Sequence, residues 1–237
     1  MHNSFKIICM SPFATPYEDA SDEKITKKAK TGPAKTRARI LAAAHEVVAR
    51  DGAQNATIRN IAKEAKVSPG LVIQHFETKA LLILEIYHES NRPSGIDLQK
   101  YFDQFDCPID LIMGMAEGHL RRNLKHAELT RQVLASSWTW TKKDEAAYVK
   151  RLTKMAGHMS NALMTKFYPD QEFLVVTATY TIISAYAGVL RRGLQQQWPV
   201  ETYLNVMRPS LTVIMRGLEA QVEDAKIEAA KKTIAAE

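Results

Sequence analysis

The chain is 237 residues long, 46% of them hydrophobic, with a formal net charge of +6. This is enough apolar material for a buried core and enough length for one or two domains. The basic balance favours a polyanionic partner. The two cysteines, Cys9 and Cys107, are far apart and lack metal-ligand spacing. That argues against a disulfide scaffold and for a reducing compartment. The sequence has no Walker-type phosphate loop, no dinucleotide glycine fingerprint and no GxSxG nucleophile elbow. No transmembrane helix is expected, on the reading that no apolar run reaches about 18 residues without charge. Residues 5–10 are apolar but too short for a signal-peptide core. The expectation is a cytoplasmic, all-α protein without cofactor or metal.

Residues 1–33 lack helical periodicity, carry Pro12, Pro16 and Pro33, and read as a mobile tail. A basic run, Lys24, Lys27, Lys28, Lys30, Lys35, Arg37 and Arg39, has no acidic residue within it. It is either a solvated arm or one that follows phosphates, with Lys35 and Arg37 nearest the folded part. A first helix over 34–50 places Ile40, Leu41, Ala44, Val47 and Val48 on one stripe, and Gly52 ends it. Thr57 caps a second helix near 57–65. Ser68 and Pro69 open a third near 69–75. The two short helices and their tight turn form a helix–turn–helix over 57–76, which presents the second helix to the DNA major groove. The expected small core is Ile40, Val47, Ile61, Val67, Val72, Phe76 and Leu82. Thr78 caps a fourth helix to about residue 90, apolar on more than one side and followed by a linker over 91–95.

The pattern Asp51-Gly52, Thr57-Ile58-Arg59-x-Ile61-Ala62, Val67-Ser68-x-Gly70-x-Val72-x-x-His75-Phe76-x-x-Lys79-x-x-Leu82 resembles the DNA-binding domain of the TetR (tetracycline repressor) family. The resemblance covers residues 34–90. It implies a DNA-binding domain over 34–94, an effector-binding and dimerisation domain over 95–222, and a C-terminal tail over 223–237. Position and motif together assign the DNA-facing residues. Thr57 and Ser68 offer hydroxyls or N–H groups to phosphate. Arg59 reads a base or a phosphate. Pro69, Gly70, Leu71 and Gln74 lie on the presented face, where Gln74 suits adenine and Leu71 a thymine methyl. His75 and Lys79 contact the backbone. Ile73 stands where the family often has a tyrosine that touches phosphate, and its side chain has no donor.

Beyond the linker, helices are expected near 97–105, 108–125, 127–138, 142–167, 170–196 and 200–222. Pro209 should kink the last of these or split it at Arg208, and residues 223–237 should be a frayed end. The helices near 170–196 and 200–222 resemble the pair that forms the family's dimer interface. A dimer is also what two recognition helices need to reach major grooves roughly 34 Å apart. The resemblance further implies an effector cavity, for which Met113, Met115, His119, Trp138, Trp140, Met155, Met159, Tyr180 and Tyr186 are the candidates. Their character suits an apolar or aromatic small molecule. Trp138 and Trp140, two apart, cannot both face one cavity from a helix. The function expected is a regulator, commonly a repressor, that leaves a palindromic operator when a small molecule binds. The alternatives are a DNA-binding architectural or adaptor protein without effector, and a helical enzyme, for which no convergent acid, base or metal set is found.

Overall fold

A computed structural model describes residues 32–92 and 98–234. The chain separates into two compact units, Met1–Ala38 and Arg39–Glu237. The first is described from Gly32, where α1 (Gly32–Asn55) begins. The tail reading of 1–33 therefore lies outside the described residues up to residue 31. Gly32 and Pro33 are already helical, since proline is tolerated in a first turn, where its missing N–H has no partner to lose.

In the second unit, no strand occurs among the described residues. Gly52 adopts φ 77° and ψ 151°, a left-handed break that leaves one further turn of α1 to Asn55. The next elements are α2 (Ile58–Glu64), α3 (Pro69–Phe76) and α4 (Lys79–Ser90). Ile40, Val47, Ile61, Val72, Phe76 and Leu82 are all buried, whereas Val67 packs at the margin of this core. Leu129 and Val133, from beyond the linker, complete the same core. Residues 93–97, most of that linker, fall outside the described residues.

Six helices follow: α5 (Leu98–Asp103), α6 (Pro108–Lys125), α7 (Ala127–Ser136), α8 (Lys142–Lys166), α9 (Glu172–Gln196) and α10 (Val200–Ile234). A 3-10 turn over Ser137–Thr139 separates α7 from α8, so the helix expected over 127–138 ends two residues early. Their core joins Leu111, Leu120, Leu163, Val175, Ile182, Leu190, Tyr203, Met207, Leu211 and Met215.

Three expectations are corrected. First, of the kink or split expected at Pro209, the split does not occur, and α10 runs as one helix through the proline. Tyr203, Met207, Leu211, Met215 and Leu218 bury one continuous face across the proline, and that burial offsets a cost of about 3 kcal/mol for the missing hydrogen bond. Second, residues 223–237 are no frayed end as far as Ile234. The helix persists there with exposed side chains, Val222 being its last buried residue. Third, residues 173–190 are an uncharged run of eighteen, so α9 is long and apolar enough to cross a membrane by length and composition. In the fold it behaves as an amphipathic core helix. Val175, Ala178, Ile182, Tyr186 and Leu190 are buried, and Thr177, Thr181 and Ser184 are exposed.

The N-termini of α4 and α8 share one cap. Thr78 Oγ1 accepts from Leu81 N at 3.0 Å and donates to Asp144 Oδ1 at 2.8 Å. Asp144 Oδ2 accepts from Thr141 N at 3.0 Å and from Thr141 Oγ1 at 2.7 Å. Ion pairs Glu77–Lys143 and Glu85–Arg151 lie alongside. The fourth helix is thereby fastened to the C-terminal helices through three polar links.

Candidate nucleic-acid interface

Helix α2 begins where Thr57, in extended geometry, accepts from Asn60 N at 3.1 Å. It ends in a paired closure: Val67 N donates to Ala62 O at 3.0 Å and Lys66 N to Lys63 O at 3.2 Å, with Lys66 left-handed at φ 52°. This six-to-one and five-to-two pattern reverses the chain in a few residues. Ser68 then caps α3 by accepting from Leu71 N at 3.2 Å, and Pro69 occupies the first turn. Val72 and Phe76 anchor the inner face of α3. Ser68, Pro69, Gly70, Ile73 and Gln74 are exposed on the outer side, and Leu71 and His75 are half-buried. Arg59 on α2 and its cap Thr57 are both exposed. With Pro69 lacking an N–H and the Leu71 and Val72 N–H groups turned to Ser68, the Gly70 N–H and the cationic side chain of Arg59 are what suit an anionic surface here.

Ile73, 43% exposed, is a large apolar side chain on this face. Lys79 is half-buried, and its Nζ donates to the Gln54 carbonyl at 3.0 Å. Lys35 is exposed and Arg37 half-buried on the opening turns of α1.

The effector candidates divide. Met113, Met159 and Tyr186 lie in the C-terminal core, with Met115 packed against it. The His119 ring sits 5.3 Å from that of Tyr186. Burial, then the nearby Arg122, pushes the His119 imidazole down to about 4, so it is neutral at pH 7. Met155 is half-buried, and Tyr180 has its hydroxyl 3.4 Å from Thr153 Oγ1. The two tryptophans do not join this group. Trp138 is 83% exposed on the 3-10 turn. Trp140 packs on the N-terminal core, with its ring 5.0 Å from that of Tyr148. The physical reason is the early end of α7, which carries residues 137–141 out of the bundle. No group of three or more potential metal ligands occurs among the described residues.

Residues 40–86 match the profile described as bacterial regulatory proteins, tetR family. This stretch carries the TetR-family domain. The matched segment is a helix–turn–helix of the kind that family uses to bind DNA in transcriptional regulators. A search of curated protein sequences gives no significant match. Solved TetR-type structures share its fold. Thermus thermophilus FadR, a TetR-family repressor in complex with lauroyl-CoA, has a TM-score of 0.64 at 16% identity, over 76% of this chain and 94% of that one. Mycobacterium smegmatis BioQ gives 0.57 at 19%, over 76% and 96%. NalD, the secondary repressor of a multidrug efflux pump in Pseudomonas aeruginosa, gives 0.52 at 20%, over 78% and 97%.

The sequence reading missed the polar centre beneath α4. Asn123, fully buried, accepts from Tyr87 OH at 2.8 Å, and its Nδ2 donates to Tyr186 OH and to the His119 carbonyl, each at 3.0 Å. Thr130 Oγ1 donates to the Asn123 carbonyl at 3.0 Å. Arg122 Nε donates to the Asn91 carbonyl at 2.9 Å. One signal was available: Asn123 continues the apolar stripe of Ile112, Ala116 and Leu120, where a polar residue must find partners inside.

Proposed function

We propose that the protein is a cytoplasmic, homodimeric repressor that holds a palindromic operator through α2 and α3. It releases the operator when a small apolar or aromatic effector enters the C-terminal helices. The observation that carries this reading is α3 itself, pinned inside by Val72 and Phe76 and bare outside at Gly70, Ile73 and Gln74. Gln74 is assigned to an adenine edge, Arg59 to a base or phosphate, and Leu71 and Ile73 to thymine methyls. Ser68 and Thr57 are assigned to phosphate. Ile73 supplies apolar contact in place of a phosphate hydrogen bond. His75 and the opening-turn cations Lys35 and Arg37 are assigned to the backbone. Lys79, one of whose three N–H donors is held by Gln54, is assigned to the backbone as well.

The test is a mobility shift against DNA flanking the coding region, at two salt concentrations with competitor present. A sequence-specific shift that survives the higher salt supports the reading. Binding that ignores sequence and vanishes with salt overturns it. Arg59→Ala and Gln74→Ala are each expected to weaken operator binding by about 1–3 kcal/mol. Unchanged affinity in both variants sinks the assignment.

The dimer is assigned to the outer faces of α9 and α10. There Thr177, Thr181 and Ser184 turn their hydroxyls onto carbonyls of their own helix, at 2.8–2.9 Å. Ser210 and Thr212 do the same in α10. The donors are spent internally, so the surface is low in relief and weakly polar. Phe173 and Val213, 67% and 72% exposed, stand on it. A Cβ added at Gly188 or Gly217 meets nothing within 4 Å, so packing within the chain does not demand glycine there, whereas a closely approaching second helix does. Gly188→Arg is expected to give monomers in sedimentation and to lower operator affinity by about two orders of magnitude, because the half-sites no longer act together. A Gly188→Arg protein that remains dimeric argues for another interface. For the effector, the apolar core around Met113, Met115, Met159 and Tyr186 supports an apolar ligand, with His119 its neutral polar contact. The lauroyl-CoA complex of the Thermus thermophilus structure is consistent with such a choice.

A further inference from the structure

A crevice of about 490 Å³ opens between the end of α1, the start of α4, and α7 with its 3-10 turn. It is separate from the C-terminal core residues assigned to the effector. Its volume falls in the range of small-molecule sites. The floor is apolar, from Ala53, Ile83, Leu84 and Val133. One wall is aromatic: Trp140, braced by Tyr148, with its Nε1–H tied to Ser136 Oγ at 3.3 Å. The lining holds a single ionic group, the Lys79 ammonium, and no carboxylate. That ammonium has only the neutral Gln54 carbonyl as partner among the described residues.

We propose that this crevice is a binding site for a small amphipathic aromatic carboxylate, its anion on Lys79 and its ring against Trp140 over Ile83 and Leu84. Charge complementarity selects the head group. A half-buried cation without a counterion gains most from an anion brought to it, and the two Nζ hydrogens not used on Gln54 are the donors. Burial holds the Lys79 ammonium below its ordinary pKa, the direction that an arriving carboxylate reverses. The apolar floor and indole wall select the body, because an inorganic anion would leave them wet.

The position gives binding a consequence. The crevice touches α1, α4 and α7, so an occupant bridges the N-terminal core to the helices beyond the linker. Binding at the crevice is independent of the operator reading, since it is measured on the free protein.

The experiment is isothermal titration of the full chain with cinnamate, and with cinnamyl alcohol as the uncharged analogue. Cinnamate is expected to saturate below about 10 mM, the range for a ligand of this size with ordinary contacts. Cinnamyl alcohol is expected to bind about tenfold or more weakly. Lys79→Met should reduce cinnamate to the level of the alcohol, and Lys79→Arg should retain most of the affinity. Ala135→Trp, which fills the crevice from an exposed lining position, should block both ligands. Absence of saturation by cinnamate overturns the proposal. So does equal binding of the alcohol, or binding indifferent to Lys79→Met and Ala135→Trp alike.

Discussion

Gly193→Ala is expected to lower the thermal midpoint by about 4–8 °C. A Cβ at Gly193 would overlap Cε1 and Cζ of the Tyr203 ring. The ring cannot swing aside, because Tyr203 is 1% exposed and packs edge-on against Trp198 at 5.6 Å. Trp198 is itself fixed, its backbone N–H donating to the Gly193 carbonyl at 3.0 Å. The helices α9 and α10 must therefore separate. Overpacking of this kind costs about 1–3 kcal/mol and sometimes more. A rigid ring held on all sides places the cost at the upper end. Alanine's better helix propensity returns up to about 1 kcal/mol, leaving a net loss of about 2 kcal/mol. For a chain of this length, each kcal/mol moves the midpoint by about 2–4 °C. Gly118→Ala is the control: a Cβ there meets only the flexible Arg122 guanidinium, at an ordinary 3.5 Å, so it should change stability by less than about 1 kcal/mol. Equal midpoints for the two variants, followed by circular dichroism, would show that α9 and α10 do not approach at Gly193.

The helix–turn–helix was legible because its signals are local. Caps at Thr57 and Ser68, a proline at the first turn and one apolar face on each helix act within a few residues. The observed spans, Ile58–Glu64 and Pro69–Phe76, fall within two residues of the expected ones. The long C-terminal helices were legible from their periodicity and their proline breaks. Where tertiary packing outweighs a local rule, the reading failed. Pro209 breaks an isolated helix, yet α10 runs through it on a face buried from Tyr203 to Leu218. Trp138 and Trp140 looked like pocket aromatics by type, but their place depends on where α7 stops. The charge-free run in α9 was overlooked because its threonines, serine and tyrosines mask its length. The Thr78 cap was legible, and its second bond to Asp144 was not, because sixty-six residues separate them. The candidate site divides in the same way. Lys79 is named by the motif, but that its ammonium turns to Gln54 and a crevice is a fact of packing alone.

Asn123→Leu is expected to cost about 2–5 kcal/mol, and the cost should shrink when its partners are also changed. Asn123 sits where α4, α6, α7 and α9 meet, accepting from Tyr87 OH and donating to Tyr186 OH. Leucine has similar bulk, so little cavity arises and the loss is polar. Two buried phenol hydroxyls lose their partner, at about 1–3 kcal/mol each. Thr130 loses its longer contact to Asn123 Oδ1 at 3.3 Å but keeps the backbone carbonyl of residue 123 as acceptor. Burial already holds both phenols well above the usual tyrosine range, with Tyr148 adding to the rise at Tyr87 and Tyr87 adding to it at Tyr186. Both therefore stay protonated at neutral pH, and each still needs a hydrogen-bond partner. Tyr87→Phe and Tyr186→Phe each remove a hydroxyl together with its need for a partner. In the Asn123→Leu background both changes should recover stability, whereas in the native background both should lose it. That reversal of sign is specific to a shared hydrogen-bond centre. Additive losses across the triple variant, measured by denaturant unfolding, would show three independent residues. The centre also joins α4, the helix behind the recognition element, to α9 in the C-terminal core. Asn123→Leu should accordingly loosen that link while the outer face of α3, capped by Ser68 and anchored by Val72 and Phe76, stays intact. Operator affinity should then fall less than stability does. A fall in operator affinity larger than the Gln74→Ala loss would mean that α4 must be held by Asn123 for α3 to read DNA at all.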